Sequence, residues 1–202
     1  MVTRFILVRH GQTEWNLVER YRGRADIALN ATGREQARRL AERLAGEPIA
    51  AVYAGPLQRT LATAEPIAAA KGLRVQPLMG LIDIDFGAWQ GLTEAEAEAR
   101  YPALYGLWLN RPGEVRFPQG EGLEDVRRRA MAAVRDLARR HKGETVVLVS
   151  HKIVNKVILC AVLGLSNHAI WRIDQDNGAI NRFEFQDGQW LVQAVNDTCH
   201  LR

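Results

Sequence analysis

Cysteine is scarce in this chain of 202 residues, with only Cys160 and Cys199 present. They fall in an apolar helical pattern and near the C-terminus, and the sequence holds no Cys-x-x-Cys or His-x-x-x-His pair. That excludes a disulfide scaffold and leaves no zinc set, so the thiols read as structural or incidental and the compartment as reducing. No apolar run reaches the length of a membrane span, and the N-terminus passes straight into a strand pattern without a signal-type apolar segment. A cytoplasmic protein with no membrane partner is expected. Blocks of like charge are missing too. Lys+Arg 27 against Asp+Glu 23 leaves a net charge of +4 and a pI near 9.4. That mild excess suits a small anionic substrate and gives no nucleic-acid arm. The one dense run, Arg127-Arg128-Arg129, lies in a helical pattern where its side chains fan around the axis, solvated or locally paired. A GxxxxGK phosphate loop is also lacking. The remaining composition, 47% hydrophobic and 25% charged, fits one globular domain over residues 1–202.

What is present is concentrated at the ends of apolar runs. Phe5-Ile6-Leu7-Val8 has the pattern of a strand covered on both faces, and it stops abruptly on Arg9-His10-Gly11. In parallel sheets ligands collect at the carboxyl ends of strands. His10 can act as nucleophile or base, Arg9 can make a two-pronged contact with an oxyanion, and Gly11 allows close backbone approach. Together they suggest a phosphate site. Thr13 to Asn16 can open a short helix, with Asn16 either a helix-end residue or a further phosphate donor. Arg20 to Leu29, containing Arg22-Gly23-Arg24, has no period and reads as a loop at the same end of the sheet.

Thr32 and Glu35 have capping-box spacing, followed by Ala37, Leu40, Ala41 and Leu44 at helical intervals up to Gly46. A second strand over Ile49 to Tyr53 completes a βαβ unit. Pro56 suits the first turn of the next helix, which places Arg59 in that turn. A cation there opposes the helix dipole unless an anion also binds. Leu73 to Leu78 supplies a third strand. In Ile82-Asp83-Ile84-Asp85 the acids alternate with isoleucines and point to one face of an extended segment, a candidate acid/base pair or two solvated carboxylates. Two short helices follow from Thr93 to Arg111, with Tyr101, Tyr105 and Trp108 as local core or as a roof over the site. A long amphipathic helix runs from about Leu123 to His141. Thr145 to Ser150 then repeats the opening device, an apolar strand ending on a histidine, His151, with a helix from Lys152 to Leu163. Ala179 to Val195 reads as a hairpin around Asp187-Gly188.

Arg9-His10-Gly11 with Gln12-Thr13-Glu14 and Asn16, Pro56-Leu57-Gln58-Arg59-Thr60 with Thr63-Ala64, the Phe86-Gly87-x-Trp89-x-Gly91 segment and Val149-Ser150-His151 occur in order along nearly the whole chain. In this the chain resembles the histidine phosphatase superfamily, the phosphoglycerate mutase-like proteins. The resemblance implies a three-layer α/β/α sandwich around a mostly parallel sheet, with no metal and no organic cofactor. It implies that His10 attacks phosphorus, that Arg9, Arg59 and His151 hold the phosphoryl oxygens with Asn16 as a further donor, and that Asp83 stands where the family's catalytic acid is usually glutamate. Lys152 stands where a glycine is common, and could charge the pocket or face solvent. Arg22, Gly23 and Lys152 are the candidate substrate-binding positions. The region from Thr93 to Gly122 looks short for a mutase insertion, so a phosphomonoesterase acting on a small phosphorylated metabolite is preferred to a phosphoglycerate mutase or a weakly catalytic binding relative. A homodimer stays open.

Overall fold

A computed structural model describes residues 1–202. The elements in chain order are β1 (Thr3–Arg9), α1 (Glu14–Leu17), α2 (Ala31–Arg43), β2 (Ile49–Ala54), α3 (Gln58–Ala69), β3 (Val75–Pro77), α4 (Glu94–Arg100), α5 (Pro102–Asn110), α6 (Leu123–Arg140), β4 (Thr145–Ser150), α7 (Lys152–Val162), β5 (Ile180–Gln186) and β6 (Gln189–Asp197). The strands form one sheet in the order β3-β2-β4-β1-β5-β6. The first four are mutually parallel, while β5 and β6 run antiparallel and extend the sheet beyond β1.

The continuous apolar character of β1 and β4 has its cause in the two layers that cover them. Phe5, Leu7, Val146 and Leu148 face the larger core, built with α6 and α7. Ile6, Val8, Val147 and Val149 face the opposite core, built with Leu40 and Leu44 at the end of α2 and Ala64, Ile67 and Ala68 of α3. Side chains of period two thus find apolar partners on both sides, which gives the three-layer α/β/α sandwich. β1 and β4 are neighbours in register, with Arg9 opposite Ser150. The next residue of each chain is a histidine, so His10 and His151 emerge at the same rim.

Several boundaries differ from the sequence expectation. α2 starts before Thr32: Asn30 is its N-cap and accepts from Gly33 N–H at 2.9 Å, while the Glu35 carboxylate pairs with Arg38 and Arg39 instead of closing a capping box. The helix ends at Arg43 with Leu44 as cap, ahead of Gly46. Pro56 precedes α3, whose N-cap is Leu57, although Arg59 does lie in the first turn. β3 is only three residues long, Val75–Pro77, and pairs with β2 at the sheet edge.

One contact fixes how β1 leaves the sheet. A Cβ on Gly11 would lie 2.4 Å from the Gly33 carbonyl oxygen, and a Cβ on Gly33 would lie 2.1 Å from that of Gln12. Two backbones touch here, and neither can move without displacing α2 or the residues beside His10. In an ordinary helix interior Gly→Ala gains about 1 kcal/mol. At Gly33 the clash is with backbone, so overpacking should dominate: Gly33→Ala is expected to lower stability by about 1–3 kcal/mol in urea unfolding. An unchanged or raised midpoint would show that the contact is looser than described.

Candidate active site

The C-terminal rim of β1 and β4 carries most of the predicted site. His10 and His151 are buried, with ring centroids 5.3 Å apart and planes inclined at 60°. The His10 Nδ1 lies 2.7 Å from the Gly11 carbonyl oxygen, so Nδ1–H donates there and Nε2 keeps its lone pair. Arg59 Nε–H donates to His151 Nδ1 at 3.3 Å, which puts the His151 proton on Nε2, a buried donor with no protein partner. Burial first, and the Arg59 charge second, hold both imidazoles well below the ordinary histidine range. The rim therefore offers one neutral imidazole as nucleophile and another as hydrogen-bond donor.

The arginines are held by backbone oxygens. Arg59 is fully buried in the first turn of α3, with Nη1 donating to Ala25 O at 2.7 Å and Nη2 to Gly23 O at 2.8 Å. Arg9 Nη1 donates to Gln175 O at 2.6 Å, and its buried Nε has no partner. Burial and the neighbouring Arg22 both push against the Arg9 charge. Arg22 donates through Nη1 to Trp15 O and also keeps a buried, unpartnered Nε. Of the seven buried side-chain polar atoms left without a protein partner, three belong to Arg9, Arg22 and His151. Unmet donors gathered this closely call for an oxyanion. A pocket of about 300 Å³ opens there, lined by Arg9, Gln12, Asn16, Arg22, Asp83 and Lys152 together with Tyr21, Phe86, Trp108 and Trp171 among others.

Asp83 and Asp85 do not form a carboxylate pair. Asp83 is buried, accepts from Arg59 Nη2 at 3.0 Å through Oδ2 and lies 3.5 Å from His151 Nδ1, while Oδ1 accepts from Ile84 N–H. Asp85 pairs with Arg24 at 3.3 Å and accepts from Gly87 N–H. The alternation in this stretch instead follows the burial of Ile82 and Ile84. Asn16 lines the pocket with its carboxamide oxygen committed to Thr13, 2.9 Å from both N and Oγ1, so only its amide nitrogen is free to donate. Gly23 is not on the pocket wall; at φ +50° it turns its carbonyl toward Arg59. Trp108 is core and wall at once, stacked edge-on against Phe86 and Trp171.

The model for the histidine phosphatase superfamily (branch 1) matches residues 5–198. The chain belongs to that superfamily. It is 36% identical over 200 residues to phosphoserine phosphatase 1 of Hydrogenobacter thermophilus, covering 99% of this chain and 95% of the relative. Among solved structures, YhfR of Bacillus stearothermophilus superposes with a TM-score of 0.94 at 30% identity, covering 99% and 100% of the two chains. The phosphoserine phosphatase of Entamoeba histolytica in complex with 3-phosphoglyceric acid superposes with a TM-score of 0.88, also at 30% identity and with the same coverage.

Three residues of this histidine phosphatase site escape a reading of the sequence. Arg129, taken with its neighbours as solvated or locally paired, donates to the carbonyls of Gly80, Ile82 and Asp83 and chelates Glu121, so it clamps the segment that carries Asp83. Gln175 is the backbone anchor of Arg9, and Asn177 donates to His10 O at 3.1 Å. The only available signal was positional: Arg129 falls three residues after buried Val126 on the apolar flank of α6. Gln175 and Asn177 lie in a turn without any motif.

Both histidines are buried neutral, which makes stability depend on pH. Their folded values are depressed, so their contribution is complete above the unfolded value near 6.5 and is lost as pH falls below it. Urea unfolding should show stability declining from pH 6.5 to 5.5 by up to about 1.4 kcal/mol per pH unit for each histidine. The double variant His10→Gln/His151→Gln should flatten that slope; an unchanged slope would assign it to other groups.

Proposed function

We propose that this chain hydrolyses phosphomonoesters of small metabolites in two displacements through a phosphohistidine on His10. The observation that carries the reading is the free Nε2 of a neutral, buried His10 facing a rim where Arg9, Arg59 and His151 supply fixed donors. Phosphoryl transfer needs an in-line nucleophile and preset positive charge around the equatorial oxygens, and little else from the protein. His10 Nε2 attacks phosphorus, the ester P–O bond breaks, and a proton passes from Asp83 to the leaving oxygen. Water then attacks phosphorus, Asp83 takes its proton, and the N–P bond breaks to release inorganic phosphate and restore His10. Asp83 starts in an ion pair with Arg59. Phosphoryl oxygens arriving at Arg59 compete for that guanidinium, and the carboxylate so released takes up a proton from solvent, which it then passes to the leaving oxygen.

The relatives named as phosphoserine phosphatases and the complex with 3-phosphoglyceric acid support substrates of this size. Two free thiols, Cys160 buried and Cys199 exposed, support a reducing, cytoplasmic setting. The membrane reading has a narrower basis, that no helix is long and apolar enough to cross a bilayer.

Acid quench during turnover of labelled substrate should trap label on His10, and His10→Ala should abolish both label and turnover while the fold survives. Label on another residue would end the covalent route, and transfer to phosphoglycerate in place of water would identify a mutase. Asp83→Asn should slow alkyl phosphates by about 10²- to 10⁴-fold, the usual worth of a general acid, and slow p-nitrophenyl phosphate far less in the first displacement. Pre-steady-state traces separate this from slow dephosphorylation, which leaves a phenolate burst. Equal losses on both esters without a burst would remove Asp83 as proton donor.

A further inference from the structure

Arg9 is a buried arginine that no carboxylate grips. Its guanidinium donates to one protein atom, the Gln175 carbonyl oxygen at 2.6 Å, while Asp83, Asp176 and Asp174 act on it only as charges through space. Whatever fixes that carbonyl therefore fixes the guanidinium plane. Gln175 lies in the turn before β5 between two exposed aspartates, yet its own side chain is buried. It meets two further buried amides there, Asn155 of α7 and Asn181 of β5. Gln175 Nε2 donates to Asp174 O and to Asn181 Oδ1, both at 2.7 Å. Asn181 Nδ2 donates to Leu7 O and to Gln175 Oε1, both at 2.9 Å, and Asn155 Nδ2 donates to that same Oε1 at 3.2 Å. Backbone carbonyls only accept, so Asp174 O and Leu7 O set the orientation of all three amides and leave the network a single sense.

One atom is left over. Asn155 Oδ1 is buried without a partner, and a leucine of similar volume would avoid that cost. Stability alone thus gives no reason for an amide at this position. Its one side-chain bond points to Gln175, whose carbonyl aims Arg9. We propose that Asn155, Gln175 and Asn181 are positioning residues for phosphoryl transfer, their amide network setting the Gln175 carbonyl and, through it, the orientation in which Arg9 meets the equatorial oxygens. The network joins the three elements that must agree for this: β1 through Leu7 O, the turn before β5, and α7, which starts directly after His151. The inference rests on the hydrolase reading and adds to it the groups that preset one of its fixed charges.

Gln175→Met and Asn155→Leu keep the side-chain volume and remove the amides. With p-nitrophenyl phosphate, Gln175→Met should lower kcat about tenfold and leave KM nearly unchanged, a part of the roughly 10²- to 10³-fold that outright loss of an oxyanion donor costs. Asn155→Leu should lower kcat about threefold while its urea midpoint stays level or rises, because the variant also removes an unmet buried acceptor. In an Arg9→Ala background Gln175→Met should cost little more, since its route to the chemistry is already gone. If Gln175→Met fails to fold, the same cycle with Asn155→Leu decides. Losses that multiply in the double variant, or an Asn155→Leu protein with a lowered midpoint and an intact kcat, would overturn the positioning role and leave the hydrolase reading standing. Failure of the wild type to turn over p-nitrophenyl phosphate would overturn both.

Discussion

Positive charge held out of water at one rim of the sheet is the constraint on which the rest of the structure depends. Arg59 is fully buried, Arg9 is nearly so, and His10 and His151 beside them are kept neutral by that same burial and charge. Isolated buried charge is among the most expensive features a fold can contain. The chain offsets it with oriented backbone. Carbonyls of Gly23, Ala25 and Gln175 accept from the two arginines, and Asp83 is the one carboxylate bonded directly to Arg59. Carbonyl dipoles fix the guanidinium planes without neutralising them, so the charge stays available to an incoming anion.

This arrangement explains why three loops converge there. The loop after α1 supplies Gly23 and Ala25, the segment after β3 supplies Asp83, and the turn before β5 supplies Gln175 and Asn177. Each is tied down by its own polar network. Arg129 of α6 and Glu121 just before that helix grip the Asp83 segment, with Glu121 also accepting from Asp85 N–H at 3.1 Å and pairing with Arg24 at 3.4 Å. The two aspartates that looked like a catalytic pair are thus divided, one facing the histidines and the other building the scaffold. Arg129 donates to the carbonyls of Gly80, Ile82 and Asp83, which fixes the backbone that carries the Asp83 carboxylate.

The sequence by itself determined the sheet and the two histidines at its rim. Apolar runs at Phe5–Val8 and Val146–Val149 have the pattern of strands covered on both faces, and each run ends two residues before a histidine, so their shared rim follows once both strands lie parallel in one sheet. Arg59 was legible for a similar reason, because a cation in a first helical turn is a local conflict that calls for an anionic partner, and Asp83 is one. Tertiary structure alone decided what Asp83, Asp85, Arg129, Gln175 and Asn177 do. Their roles depend on contacts distant in the chain, such as Arg59 to Asp83, 24 residues apart, and Asn177 to His10, 167 apart. No spacing rule reaches that far. The start of α2 is local after all, with Asn30 as N-cap to Gly33 N–H, whereas the close approach of Gly33 to the Gln12 backbone is a tertiary contact that capping preference does not encode.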